Sequence, residues 1–395
     1  MLTADYLLNA PAPVVAIFDE VQMDIVADIA KAIVSQGHVT ETAAWRTEML
    51  KNFGAFRGDM LKELAHATKL SEREISALMK QAGIDSLQYD DALYRQAGLS
   101  PVPLSRSPAL QSVILHGVDN TMALVGNFTK TTATVASGAY TNALDRAFLQ
   151  VMTGAYDPNK ALRMAVNDLA RQGFERIGYP AGVKTSLEAS VRRAVTTGLN
   201  QAVGELTLAR ATEMDSDLVE VTSHAGARPE HAAWQGKIYS ISGSHHRYKS
   251  LRDETGYGTG QGLCGWNCYH NFYAYIEGVS TPSFRRDPAN DAGRNNDQMY
   301  EESQKQRHHE RMVRDAKHEC VTYFNAAESA PNEELRGYLL EDFQNSAKKL
   351  KNRRDRLDAF LDETGRKSEH EREQVAGFGR SMASRASWAG RIATA

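Results

Sequence analysis

Apolar residues recur three or four positions apart in long runs of this sequence, which is the spacing of one face of an α-helix. One run leads from Val14 to Ile33, and another leads from Leu187 to Leu206. Helices of that length need partners for their apolar faces, and a chain of 395 residues is long enough to supply them. The pattern therefore predicts a mainly α fold with a sizeable core.

Changes in composition divide the sequence into four consecutive regions. The run between Gly98 and Pro108 carries three prolines, which interrupt any helix there. Short β-branched runs replace the helical spacing at Leu218–Val221 and Lys237–Ile241. After Arg285, Glu, Lys, Arg and Gln dominate, as in long charged helices. The predicted regions are a helical N-terminal unit (1–100), a central helical region (109–216), a compact α+β module (217–284) and a charged helical C-terminal region (285–395).

Local signals predict where individual helices begin and end. Ser71 and Glu74 have the spacing of a capping box, which predicts a short helix that ends at Gly83. A second capping box, beginning at Thr185, is expected to start the longest helix of the first half. Pro331 interrupts the charged region, which predicts an antiparallel helical hairpin on either side of it.

Charge and cysteine content restrict the functions that the sequence allows. Lys and Arg number 46 against 49 Asp and Glu, so the net charge is −3. A chain that binds nucleic acid over its whole surface is basic, so any DNA contact here has to be local. Three cysteines in so long a chain do not form a disulfide framework, and they indicate a reducing compartment. Neither a signal peptide nor a membrane helix is expected, which favours the cytoplasm and no membrane partner.

The densest set of chemically versatile side chains lies between Ser223 and Tyr248. A metal or catalytic site is one interpretation, because imidazoles and a carboxylate can bind zinc. However, the spacing is not the helical one of zinc proteases, and no glutamate stands beside a ligand pair as a general base. The sequence favours a structural signature that fixes the module, formed by His224, Arg228, Glu230, His231, Trp234 and Lys237.

Cys264 and Cys268 form a second cluster, with three residues between them and His270 close behind. This spacing is at the wide end of the range found in zinc loops. Buried reduced cysteines beside aromatic residues explain the same pattern without a metal. We therefore expect no cofactor, with a structural zinc held by Cys264, Cys268, His270 and His224 as the open alternative.

Two basic sets are candidates for contact with DNA or a protein partner. The first lies in the charged region, where acidic neighbours also fit a plain solvated helix face. The second lies in the tail from Gln374, which contains no acid and is expected to be mobile until a partner orders it. The candidates are Lys348, Lys349, Lys351, Arg353 and Arg354 in the first set, and Arg380, Arg385 and Arg391 in the tail.

Several segments resemble the phage minor capsid protein 2 family, which comprises head proteins of tailed phages akin to head-morphogenesis proteins of the Mu F type. They include Leu218–Val221, His224–His231 and Gly265–Cys268, and they follow one another in order along nearly the whole chain. The resemblance implies a virion structural protein, a minor capsid or head-morphogenesis component that is not an enzyme. It also implies a place in the phage head, after assembly in the host cytoplasm, with the portal protein, the major capsid protein or packaged DNA as partners.

The alternative function, from a different class, is a metal-dependent hydrolase or nuclease. Its candidate ligands are the imidazoles and thiols of the module, namely His224, His231, Cys264, Cys268 and His270. A closed site of four protein ligands leaves no open position for the water that such an enzyme activates. Bound zinc would therefore first indicate a structural role.

Overall fold

The computed structural model of the chain describes residues 2–34, 43–172, 177–178, 184–285, 288 and 293–392. In chain order the helices are α1 (Ala4–Asn9), α2 (Ala12–Val34), α3 (Ala43–Gln96), α4 (Pro108–Met152), α5 (Pro158–Gln172), α6 (Leu187–Glu213), α7 (Pro229–Ala232), α8 (Leu251–Thr255), α9 (Asn296–Glu328), α10 (Glu333–Thr364) and α11 (Arg380–Ile392). The strands are β1 (Ile177–Gly178), β2 (Lys184–Thr185), β3 (Leu218–Val221), β4 (Ile238–Ser240) and β5 (Phe272–Ala274). The mainly α prediction, with a small α+β module, is confirmed.

The chain folds into two compact units, each built from three separate segments. Unit 1 comprises Met1–Val15, Leu70–Gly126 and Val191–Gln304, and unit 2 comprises Ala16–Lys69, Asn127–Ser190 and Lys305–Ala395. The segment limits fall inside long helices, so α2, α3, α4, α6 and α9 each supply residues to both units. The units follow packing rather than chain order, and the division into four consecutive regions stays a prediction.

Helix α3 corrects the prediction of a short helix between Ser71 and Gly83, because it continues for 54 residues through both positions. Ser71 is buried inside this helix instead of capping one. Gly83 does not end it either: a Cβ at Gly83 would lie 2.9 Å from Leu206 Cδ1 on α6. This glycine therefore allows α3 and α6 to approach closely within unit 1.

The start of α6 lies one residue later than the capping box predicts. The Ala189 N–H donates to Ser186 Oγ at 3.1 Å, so Ser186 is the N-cap. Thr185 ends strand β2 instead. The position of the helix is confirmed, and only the identity of its cap was wrong.

An antiparallel hairpin of α9 and α10 contributes to unit 2, as Pro331 predicts. Lys349 Nζ lies 2.5 Å from Glu319 Oε1, and Arg353 donates to the Met312 carbonyl at 2.6 Å. As the residue numbers rise along α10, the residue numbers of their partners on α9 fall, so the two helices run antiparallel. Asn332 caps α10 by accepting a hydrogen bond from the Leu335 N–H at 2.9 Å.

The C-terminal tail is an ordered helix in unit 2, which corrects the expectation of a mobile segment. In α11, Met382, Ala386 and Ala389 are buried in the core shared with α9 and α10. A Cβ at Gly390 would lie 3.3 Å from the Ala347 carbonyl oxygen. Small residues at helical spacing thus let α11 pack closely on α10, a signal hidden by the low hydrophobicity of the tail.

The α+β module lies in unit 1 and contains a three-stranded antiparallel sheet in the order β4-β3-β5. Val219 on β3 lies opposite Tyr239 on β4 and Ala274 on β5. All four residues of β3 are buried, as expected for a central strand. The sequence predicts β3 and β4, and both are confirmed. It does not predict β5, which is only three residues long.

Within the residues that the structure describes, no helix has both the length and the apolar character needed to cross a lipid bilayer.

Candidate functional site

Three side chains that could each offer a metal ligand meet within the α+β module. The ligand atoms of His231, Cys268 and His270 all lie within 4.8 Å of one another. Helix α7 carries His231, and the loop that leads into β5 carries the other two. The three residues are only 3%, 1% and 1% exposed, respectively. The chain thus buries two imidazoles and a thiol at one point.

The loop before β5 reaches this position because its backbone folds tightly on itself. A Cβ at Gly262 would lie 2.1 Å from the Gly256 carbonyl oxygen, and one at Gly265 would lie 2.5 Å from the Gly260 oxygen. Cys264 itself has a positive φ of 58°. The glycines are therefore needed for backbone to pass against backbone, so that Cys268 faces α7.

Hydrogen bonds fix the proton positions on both buried imidazoles. The His224 N–H donates to Gln235 Oε1 at 3.1 Å, which identifies that atom as the amide oxygen. His270 Nε2 lies 2.9 Å from the same oxygen and is therefore the protonated nitrogen. His231 Nε2 likewise donates to the Gln261 carbonyl at 2.8 Å. In both rings Nδ1 consequently carries a lone pair.

Both Nδ1 lone pairs face the sulfur of Cys268. The distance from Cys268 Sγ is 3.7 Å to His231 Nδ1 and 3.7 Å to His270 Nδ1. Asn200 on α6 holds the loop in place, since its Nδ2 donates to the carbonyls of Cys268 and His270, each at 2.9 Å. The two nitrogens and the sulfur thus form a compact set of donors suited to a transition metal.

Burial shifts the ionisation of these groups toward their neutral forms. Desolvation lowers the pKa of His231 and the pKa of His270, the latter strongly. It also raises the pKa of Cys268 to about 11, and it raises the pKa of Cys264 well above its usual value. Burial therefore favours neutral imidazoles on His231 and His270 and a protonated thiol on Cys268.

The structure brings together only part of each set of metal ligands predicted from the sequence. Cys264 is buried nearby with its Sγ 3.7 Å from the His270 carbonyl oxygen, but it lies outside the three-residue group. The His224 ring stands against the His270 ring with 4.2 Å between centroids, and its Nδ1 lies 3.1 Å from the Ala225 carbonyl. His231 joins Cys268 and His270 instead, and the sequence contains no local signal for the supporting Gln235.

The remaining signature residues surround this group. Trp234 is buried, with its ring centroid 4.7 Å from that of His231 and 4.9 Å from that of His270. Arg228 donates to the Trp266 carbonyl, and Lys237 donates to the Ala233 carbonyl at 2.6 Å. Glu230 is exposed. All of these contacts lie within the α+β module. That the segment is a structural signature stays a prediction.

Several of the basic candidates already make contacts inside unit 2. Lys349 pairs with Glu319, and Arg353 donates to a backbone carbonyl of α9. Arg354 lies 5.9 Å above the Phe378 ring, and Arg385 lies 4.7 Å above the Phe324 ring. The exposed candidates are Lys348, Lys351, Arg380, Arg385 and Arg391. A cavity of about 300 Å³ on α10 is lined by Asn345, Lys348, Lys349, Asn352, Arg353 and Arg356.

Comparisons with known proteins agree with the resemblance in the sequence. A model of the family described as phage minor capsid protein 2 matches residues 2–362. A protein of Lactococcus phage LL-H described as "Structural protein" is 24% identical over 287 residues, which is 69% of this chain and 76% of that protein. No solved structure shows significant similarity to the chain.

Proposed function

The chain belongs to the phage minor capsid protein 2 family, and from this premise we propose that it acts in head assembly and stays in the phage head as a minor component. The extent of the family match carries the proposal. Residues 2–362 of 395 fall within it, so the match includes unit 1 almost completely and unit 2 except for the end of α10 and the segment that contains α11. Little of the chain remains for an unrelated activity.

The hydrolase or nuclease alternative is not favoured by the site. A metal-dependent hydrolase needs an open coordination position that its substrate and a water molecule can reach. The imidazoles and the thiol of the module are instead enclosed, with Trp234 packed against both rings. The proposal therefore assigns no enzymatic activity to the protein.

The portal protein and the major capsid protein are the proposed protein partners, met in the host cytoplasm while heads assemble. The family supports this choice, since minor capsid proteins are head components. Cross-linking of infected cells, followed by identification of the chains linked to this protein, tests it. Links to the portal or to the major capsid protein are expected. Links to non-structural proteins only would contradict the proposal.

A local DNA contact is part of the proposal, and the cavity on α10 is its position. Lys348 and Arg356 line it and are exposed, and Lys351, which is also exposed, lies between them on the same helix. With a net charge of −3, most faces of the protein repel phosphate, so a groove lined by several cations is the proposed position of DNA. Because each phosphate contact releases a counterion, binding is expected to weaken steeply as salt rises.

Replacing Lys348, Lys351 and Arg356 together by glutamine is expected to flatten the salt dependence of binding to duplex DNA. Three lost contacts reduce the slope of log K against log salt by about 3. Fluorescence anisotropy of labelled duplex DNA measures it. The matched control replaces three exposed cations of α3, Arg57, Lys69 and Lys80, with the same change of charge. Equal loss of affinity in both variants would show that the groove is not the binding site.

A further inference from the structure

We propose that His231, Cys268 and His270 form a zinc site that fixes the α+β module, with two imidazole nitrogens and one thiolate as protein ligands. The proposal is independent of the role of the chain in the phage head. It rests on the arrangement of donor atoms inside unit 1.

The hydrogen atoms available at the site favour a bound cation. Both Nδ1 atoms are acceptors, because each ring has its proton on Nε2, held by the oxygens of Gln235 and Gln261. Both acceptors face Cys268 Sγ, and a thiol has one proton to donate. Without a cation, the lone pair of at least one of the two Nδ1 atoms is buried against the sulfur without a hydrogen-bond donor, which is unfavourable in the protein interior. A bound metal ion satisfies both nitrogens and the sulfur together.

The distances from the sulfur to the two nitrogens also fit zinc. Zinc binds sulfur at about 2.3 Å and imidazole nitrogen at about 2.0–2.1 Å, so a tetrahedral arrangement places these two ligand atoms about 3.6 Å apart. The separations from Cys268 Sγ are 3.7 Å to each Nδ1. Each nitrogen therefore already lies at the distance from the sulfur that a zinc tetrahedron requires, and all three ligand atoms lie within 4.8 Å of one another.

Hydrogen bonds to neighbouring groups hold the three ligand residues in place. Histidines that bind metal usually donate their other ring N–H to an oxygen acceptor, which fixes the tautomer and the orientation of the ring. His231 and His270 both do so. Asn200 in addition holds the backbone carbonyls of Cys268 and His270 with one carboxamide. The site is thus pre-organised in the way that metal sites are.

The ligand types select the metal. Imidazole and thiolate are the donors that zinc prefers, whereas magnesium and calcium take oxygen ligands. Binding of zinc displaces the thiol proton of Cys268, so the metal neutralises the thiolate that it creates. Because the ligands are buried, loading is expected to occur as the chain folds. Three protein ligands leave one position of a tetrahedral zinc open, but His231, Cys268 and His270 are at most 3% exposed, so a substrate does not reach it. The role is accordingly structural.

Elemental analysis of the full chain after gel filtration tests the site, with Zn²⁺ as the metal supplied. About one zinc per chain is expected for the wild type. Cys268→Ser and His270→Ala should lose it. Cys320→Ser, which removes a buried thiol of unit 2, and Cys264→Ser should keep it. A zinc-free wild type, or a Cys264→Ser variant that loses zinc as completely as Cys268→Ser, would overturn the assignment.

Two further measurements keep the test decisive if a variant does not fold. Removal of zinc from the wild type by a chelator should increase protease cleavage within residues 217–284, and Zn²⁺ alone should restore resistance. Substitution with Co²⁺ should produce a thiolate-to-cobalt absorption band. Gln235→Ala should weaken zinc affinity about 10–100-fold, since it removes the acceptor that orients His270. An unchanged cleavage pattern after chelation would contradict the proposal.

Discussion

Replacing Arg210 by methionine is expected to lower the free energy of unfolding by about 3–5 kcal/mol. Arg210 on α6 is fully buried and ion-paired with Asp91, with 2.9 Å between Nε and Oδ1, and with Glu213 at 2.6 Å. It also donates to the Val102 carbonyl at 2.6 Å. Methionine has a similar volume but no charge, so the Asp91 carboxylate would remain buried without its main partner. Urea denaturation followed by circular dichroism measures the change.

Arg95 provides the matched control, because it pairs with the same carboxylate from the solvent side. Its side chain is 60% exposed, and its nitrogen lies 3.7 Å from Asp91 Oδ2. Arg95→Met is expected to cost less than about 1 kcal/mol, as exposed ion pairs do. If both variants lost the same stability, the buried ion pair of Arg210 would contribute no more to unit 1 than the exposed ion pair of Arg95.

Truncation after Gly379 is expected to destabilise unit 2 by on the order of 3 kcal/mol or more. The deletion removes Met382, Ala386 and Ala389 from the core and exposes the apolar surface of α10 beneath them. Thermal unfolding and limited proteolysis measure the effect. The control replaces Arg380, Arg385 and Arg391 by glutamine, which changes the charge of α11 but keeps its buried face. A truncated chain that unfolds at the same temperature as the full-length protein would contradict the contribution of α11 to the core of unit 2.

This result also determines how DNA binding by the tail has to be tested. A truncated chain that loses core packing could lose DNA affinity for reasons unrelated to the arginines. The three glutamine substitutions in α11 separate the two effects, because they leave the buried residues in place.

Much of the helical architecture could be predicted because apolar spacing is a local property. The runs from Val14 to Ile33 and from Leu187 to Leu206 both lie in long helices. The length of α3 could not be predicted, because Ser71 and Gly83 have the local signals of helix ends. Contacts with distant residues override those signals, such as the approach of Leu206 to Gly83.

The candidate site was predicted in part for the same reason. Cys268 and His270 were singled out together because they are neighbours in sequence. His231 lies 37 residues before Cys268, and only the packing of α7 against the loop before β5 brings its Nδ1 to the sulfur. The spacing of these residues along the chain does not predict that contact. Cys264 is closer to Cys268 in sequence but lies outside the group.

Quantitative mass spectrometry of purified, DNA-filled particles of the phage that encodes this chain tests the proposed structural role most directly. Peptides from the segments of both units are expected, including residues 70–126 and 305–392, at a constant ratio to the portal protein and well below the major capsid protein. This result would place the chain in the mature head. Absence of these peptides from particles in which portal peptides are abundant would contradict a structural role in the virion.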